Sequence, residues 1–195
     1  MYYKRLKGQI LFEQHYEKAR GDTFDPPLTD RDNFYYWVAV IDERTCPECY
    51  RHHGKYFSRY DNPEEYNHKH AGCRCTRISV KGVKAGLATK NGLDGADWYL
   101  KYYGRLPDYY ISEEALKKLG WNLGDRPSQF APGKMLTMGV YENKKGILPD
   151  APGRIWYEAD INYTPGRRNL HRVVWSNDGL VFVTYDHYMT FYEVY

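Results

Sequence analysis

Apolar and polar positions along this chain follow three regimes. Residues 6–20 carry helical spacing that ends near Gly21, and Asp25-Pro26-Pro27 breaks any continuation. Residues 34–41 (FYYWVAVI) form an aromatic and β-branched run, the pattern of a buried strand. Beyond position 94 the pattern becomes regular. A helix is predicted from Asp94 as its cap to Tyr103, stopping at Gly104. A second is capped by Ser112, with Glu113 and Glu114 in its first turn, Lys117 and Lys118 in its last, and Gly120 beyond. Strand-like segments follow at 135–141, 154–158, 172–176, 180–185 and 190–195, and Asn177-Asp178-Gly179 marks a hairpin turn. Helices first and strands second predict an α+β fold, an antiparallel sheet with helices packed on one face.

Between these regimes the chain changes character. Residues 46–75 are rich in Cys and His and poor in aliphatic side chains, so a cross-link or a metal has to hold them. Residues 76–93 contain three glycines and no aromatic residue and read as a linker. The predicted organisation is a small Cys/His domain over 1–78, a linker over 79–93 and a larger domain over 94–195. The net charge is only +3 and is uneven. Residues 1–93 hold 16 Lys and Arg against 12 Asp and Glu, whereas 94–195 hold 12 against 13. The second half is therefore no generic polyanion binder, and any nucleic acid must be met by a local cluster. No apolar run approaches the roughly 20 residues of a membrane span, and the N-terminus lacks the pattern of a signal peptide.

All four cysteines lie between positions 46 and 75. Cys46-Pro-Glu-Cys49 lets two thiolates face one ion, and His68-Lys-His70-Ala-Gly-Cys73-Arg-Cys75 supplies the remaining ligands of a structural zinc site. The first ligand set is Cys46, Cys49, Cys73 and Cys75; in the alternative His70 replaces one of the last two. Two disulfides are the competing reading, disfavoured by the strain of CxxC and CxC bridges. His52 and His53 are expected on the surface.

The second half carries a different chemistry. Glu158, Asp160, Arg168, Arg172 and His187 fall on or beside successive strand segments. Cleaving RNA without a metal needs a base for the ribose 2′-hydroxyl, an acid for the departing 5′-oxygen and cations over the phosphate. Glu158 and His187 supply base and acid, and Arg168 and Arg172 the cations. Their ordinary pKa values, about 4.3 and 6.5, give opposed protonation near neutral pH. The arginines are expected to favour an ionised Glu158, and phosphate a protonated His187.

The runs Leu106-Pro-Asp-Tyr-Tyr-Ile111, Leu119-Gly-Trp121, Ala131-Pro-Gly-Lys134, Trp156-Tyr-Glu-Ala-Asp-Ile-Asn-Tyr-Thr164, Gly166-Arg-Arg-Asn169 and Thr184-Tyr-Asp-His-Tyr-Met-Thr-Phe191 resemble the barnase and binase family of small bacterial ribonucleases, in order and spacing, over about 100 residues. The resemblance implies a twisted antiparallel sheet with N-terminal helices, and transesterification of RNA to a 2′,3′-cyclic phosphate followed by hydrolysis, with no cofactor for catalysis. It implies Glu158 as general base, His187 as general acid, Arg168 and Arg172 as phosphate ligands, Tyr188 as the aromatic beside the acid, and Arg154–Asp178 as a structural ion pair. Asp160 is the implied holder of Arg168. Tyr141, Asn143 and Lys144 fall in the implied base-reading region. Three positions depart from the family. Glu113 replaces a lysine, Lys145 replaces the glutamate that reads guanine, and Gly139 replaces an aspartate. Relaxed base preference and a reduced rate are the expected consequences.

Trp37, Asp42-Glu-Arg-Thr-Cys-Pro-Glu-Cys49, Gly54-Lys-Tyr-Phe57 and His70-Ala-Gly-Cys-Arg-Cys-Thr76 resemble the C-terminal part of Mu-type phage minor head proteins. That resemblance implies a delivery or packaging module ahead of a toxic nuclease; the competing reading is a zinc-stapled appendage that stabilises the domain boundary. The expected protein is thus an RNA-degrading toxin effector, bacterial or prophage-borne, delivered without a recognisable signal peptide and acting in the cytoplasm of a target cell. Its implied partners are RNA, a barstar-like acidic immunity protein and phage head or secretion machinery. Two other classes stay open: a phage-particle structural or interaction protein with an inactive nuclease-like domain, and a nonenzymatic RNA-binding module.

Overall fold

A computed structural model describes residues 24–58, 70–163 and 168–195. The helix expected over 6–20, and His68, lie outside the described residues. Among the described residues nine strands form one sheet: β1 (Leu28–Val38), β2 (Tyr56–Ser58), β3 (Thr76–Val83), β4 (Tyr110–Ser112), β5 (Met135–Tyr141), β6 (Trp156–Asp160), β7 (Arg172–Ser176), β8 (Val181–Thr184) and β9 (Tyr192–Val194). Their order is β2-β1-β3-β9-β8-β7-β6-β5-β4. The helices are α1 (Pro47–His52), α2 (Ala96–Tyr103), α3 (Glu113–Lys118) and α4 (Pro127–Phe130).

The α+β class holds, with two corrections. The sheet is mixed, because β3 runs parallel to β9 and β4 parallel to β5. The stretch expected to be linker also begins as strand. Gly82 and Val83 pair with Glu193 and Val194, and the backbone continues the ladder through Ala85 N–H to Tyr195 O and Tyr195 N–H to Val83 O. Val83, Ala85 and Ala88 then enter the main core beside Leu100, Val173 and Val183. Small apolar residues in a glycine-rich stretch read locally as linker; here they are the close-packed approach of chain to sheet.

Local signals explain most element ends. Ser112 Oγ accepts from Ala115 N–H and caps α3. Gly104 ends α2 in the left-handed region at φ 66°. The N-cap of α2 is Gly95, one residue beyond the expected Asp94. A Cβ at Gly95 would fall 2.0 Å from Thr89 Oγ1, because Asp97 draws that loop in. The fully buried Asp97 carboxylate accepts from Gly86 N–H, Ala88 N–H and Thr89 Oγ1.

Strand alternation gives the sheet two faces. Ala159, Val173, Val181 and Val183 point to the core under α2. Trp156, Val174 and Phe182 point the other way into a second core with Leu148 and Phe191. Glu158, Asp160 and Arg172 share that second face by register, Glu158 opposite Val174 and Asp160 opposite Arg172. The N-terminal strands enclose their own aromatic core of Tyr35, Trp37 and Phe57. His52 belongs to it rather than to the surface: its ring meets Trp37 at 5.4 Å and Phe57 at 5.0 Å. Among the described residues no helix is long and apolar enough to cross a membrane.

Candidate active site

Asp160 at the end of β6 is fully buried and orients both arginines. Arg168 forks onto it, Nε to Oδ2 at 2.6 Å and Nη2 to Oδ1 at 2.9 Å. Arg172 Nε lies 2.9 Å from Asp160 Oδ1, and its Nη1 donates to the carbonyls of Asn169 and His171, both at 2.7 Å. The Arg168 plane is thus fixed by its fork on Asp160, and that of Arg172 by the two carbonyls on its Nη1, with Asp160 as counter-charge, before any ligand arrives.

Glu158 stands two residues earlier on the same face. Its Oε2 accepts from the Tyr188 hydroxyl at 2.5 Å. Burial raises the Tyr188 pKa, so the phenol keeps its proton and remains a donor. Burial also raises Glu158 above the usual carboxylate range, against the opposing pull of Tyr188, Arg172 and Arg168. The arginines favour the ionised form as expected, but desolvation outweighs them in the free protein.

His187 and Tyr188 sit in the loop between β8 and β9 at φ 56° and 68°, both left-handed. Neither is glycine, and such a conformation costs about 1 kcal/mol or more per residue. Asp186 holds the loop in place. Its Oδ1 accepts from Thr184 Oγ1, Met189 N–H and Thr190 N–H, while Thr184 Oγ1 accepts from Tyr188 N–H. His187 N–H donates to Leu170 O. The His187 side is open to solvent, yet partial dehydration and the positive charges of Arg172, Arg168 and Lys145 pull its pKa below the ordinary value. Asp186 stands in the sequence beside His187, and its role as loop organiser has one local signal, the Thr-x-Asp spacing.

A 300 Å³ pocket opens between Glu158, Tyr188 and the loop after β5, and Val140, Tyr141, Glu142, Asn143, Lys144 and Lys145 line the rest. Tyr141 stacks on Tyr188 with ring centres 5.2 Å apart. The Asn143 side chain is bound to the backbone of Leu148 through both its oxygen and its nitrogen, and so shapes the loop. Lys144 pairs with Glu142. Gly139 takes φ 83° where β5 slips register against β6, a conformation that excludes an unstrained aspartate. Glu113 lines a separate pocket with Lys117, Thr137, Met138 and Gly139, and is paired to Lys117 at 2.7 Å.

The Cys/His segment gathers separately. Cys46 caps α1 with its sulfur, which accepts from Cys49 N–H at 3.3 Å and is pulled below the ordinary thiol pKa. His70 Nε2 stands 3.2 Å from Cys46 Sγ and 3.1 Å from Cys49 Sγ. Cys49 Sγ is 3.8 Å from Cys73 Sγ, and Cys49, Cys73 and Cys75 form a second close group. The four cysteines are free thiols. These Cys and His groups have the composition and spacing to bind a metal ion.

Residues 12–78 match the family model described as Phage Mu protein F like protein. Residues 96–195 match the family model described as ribonuclease. Over 109 residues the chain is 46% identical to a ribonuclease of Bacillus intermedius, covering 55% of this chain and 67% of the relative. The same figures hold for a ribonuclease of Bacillus pumilus. A ribonuclease of Heyndrickxia coagulans is 45% identical over 108 residues, covering 55% of this chain and 99% of the relative. Because the matched stretch spans about half the chain and carries every residue of the cleft around Glu158, the protein belongs to the ribonuclease family, as an endoribonuclease.

Proposed function

We propose that the cleft cleaves single-stranded RNA by general acid–base catalysis without a metal. Glu158 takes the proton of a ribose 2′-hydroxyl as the 2′-oxygen bonds to phosphorus. The bond from phosphorus to the 5′-oxygen breaks, and the His187 imidazolium protonates the leaving oxygen. Arg168 and Arg172 neutralise the charge that gathers on the equatorial phosphate oxygens. In the second half-reaction neutral His187 draws a proton from water, which opens the 2′,3′-cyclic phosphate, and Glu158 returns its proton to the 2′-oxygen. The observation that carries this reading is the buried Asp160 carboxylate, forked by Arg168 and paired in charge with Arg172, beside the Tyr188-bound Glu158.

The departures tune the site rather than abolish it. The carboxylate of Glu113 is countered by Lys117. Lys145 offers only donors to a base edge, so guanine loses the acceptor that selects it, and the backbone near Asn143 and Lys144 is left to read the base. Glu158→Ala and His187→Ala test the mechanism on RNA with chelator present. Each is expected to lose about 10²–10⁴-fold in rate, with a cyclic phosphate as the wild-type intermediate. Undiminished variants, or a wild-type protein that does not turn RNA over, overturn it.

The Cys/His segment fits a structural zinc site. Thiolates on one tetrahedral zinc, each about 2.3 Å from it, stand roughly 3.8 Å apart, and the Cys49–Cys73 separation is 3.8 Å. Cys46, Cys49, His70 and Cys73 would hold the ion, in favour of the set that includes His70. Zinc there would tie α1 to the loop at 70–75, with no part in RNA cleavage; metal analysis of purified protein decides it. The phage-type module ahead of a nuclease supports a delivered toxin acting in a target-cell cytoplasm, neutralised in its producer by an acidic immunity protein steered to the arginines.

A further inference from the structure

Resting on the proposed orientation of RNA in the cleft, the structure points to a second nucleotide site that the ribonuclease half does not build alone. A cleft of 580 Å³ lies on the opposite side of the loop after β5. It shares Val140, Tyr141, Glu142 and Asn143 with the catalytic pocket, so one thin wall separates the two. Its other walls come from both halves of the chain, His53, Gly54 and Ile78 on one side and Asp150, Arg154 and Ile155 on the other. The volume falls within the roughly 300–1,000 Å³ of small-ligand sites.

The lining has the chemistry of a base rather than of a phosphate. Ile78, Val140 and Ile155 are 41%, 60% and 45% exposed and offer an apolar floor. His53 Nδ1 accepts from Ala39 N–H, which leaves the neutral ring its Nε2–H as donor. Glu142 and Asp150 offer acceptors. Arg154 is committed to Asp178, Gly54 O and Pro149 O, so it is not available to a phosphate. In the proposed mechanism the nucleotide beside Glu158 bears the reacting 2′-hydroxyl, and the loop after β5 faces its base. The strand that continues beyond this loop, away from the scissile phosphate, runs toward its 5′ end. We infer that the cleft between the N-terminal strands and the loop after β5 holds the base of the nucleotide 5′ to the one cleaved.

The test uses the full chain and oligonucleotides with one ribonucleotide in an otherwise deoxy strand. The shortest substrate is extended by one nucleotide at its 5′ or its 3′ end. In wild type, 5′ extension is expected to raise kcat/KM about tenfold, the scale of one base contact. Because Arg154, the one Lys or Arg among the described lining residues, is committed elsewhere, that gain should change little with salt, unlike a phosphate contact. Ile78→Trp, which fills the cleft, and Ile155→Ser, which removes part of its floor, should each cut the gain below about twofold. Both should cleave the shortest substrate at the wild-type rate. No gain on 5′ extension, or a gain that survives both substitutions, overturns the subsite while leaving the cleavage mechanism standing. Wild-type protein that cleaves none of the substrates, or Glu158→Ala that cleaves them at the wild-type rate, overturns the mechanism and the subsite with it.

Discussion

At the residue scale, Glu158 and His187 are drawn toward each other in pKa, Glu158 upward by burial and His187 downward by burial and three nearby cations. Cleavage by the proposed mechanism needs the base ionised and the acid protonated. The acid limb of kcat/KM therefore falls above the ordinary carboxylate range and the alkaline limb below the ordinary imidazole value, a narrow bell for the free enzyme. A phosphate beside His187 favours its cationic form, so the alkaline limb of kcat should lie at higher pH than that of kcat/KM. A broad plateau in kcat/KM would contradict this. Tyr188→Phe removes the donor that favours the Glu158 carboxylate, leaving burial less opposed. Its expected effect is an acid limb displaced to higher pH, read from the full pH–rate profile, with the alkaline limb little changed.

At the element scale, loops and ends are fixed by a few polar or left-handed residues. Ser112 caps α3, and Ser112→Ala should cost about 1 kcal/mol in denaturant unfolding. Gly54, after α1, is held at φ 68° with its would-be Cβ only 2.4 Å from Asp150 O. The approach is tight because Arg154 Nη1 binds Gly54 O and Pro149 O together, while its Nε and Nη2 bind Asp178. The sequence-predicted Arg154–Asp178 pair is thus half of a larger clamp that reaches the N-terminal module. Gly54→Ala meets both a disfavoured φ and a backbone clash. A loss of about 2 kcal/mol, roughly 4–8 °C in Tm for a chain of this size, is expected in thermal melting.

At the scale of the whole molecule, the sheet runs without a break from the N-terminal strands into the ribonuclease half. β3 covers β9, and the turns after it supply Val83, Ala85 and Ala88 to the core and two N–H donors to Asp97. A fragment starting at residue 94 strips those donors from a fully buried carboxylate, each loss costing about 1–3 kcal/mol. A fragment starting at residue 84 keeps them. The longer fragment is expected to melt cooperatively at clearly higher temperature; equal melting of the two would show that residues 84–93 are dispensable. Chelation is expected to lower the thermal stability of the full chain while RNA cleavage at low temperature persists, because the proposed zinc ligands hold α1 and the loop at 70–75 and line a pocket distinct from that at Glu158.

Short-range rules determined much of this protein from its sequence. Strand patterns put Glu158, Asp160 and Arg172 on or beside successive strands, Ser112, Gly104 and Gly120 marked helix ends, and Asn177-Asp178-Gly179 marked its hairpin. These features depend on neighbours a few residues away, so local pattern suffices. Only the folded chain decided the rest. The parallel union of β3 and β9, the close approach of Gly54 to Asp150 and the seat of His70 between Cys46 and Cys49 join distant segments. The protonation of Glu158 is set by how much water the assembled sheet and Tyr188 exclude, and burial of that kind exists only once those segments meet.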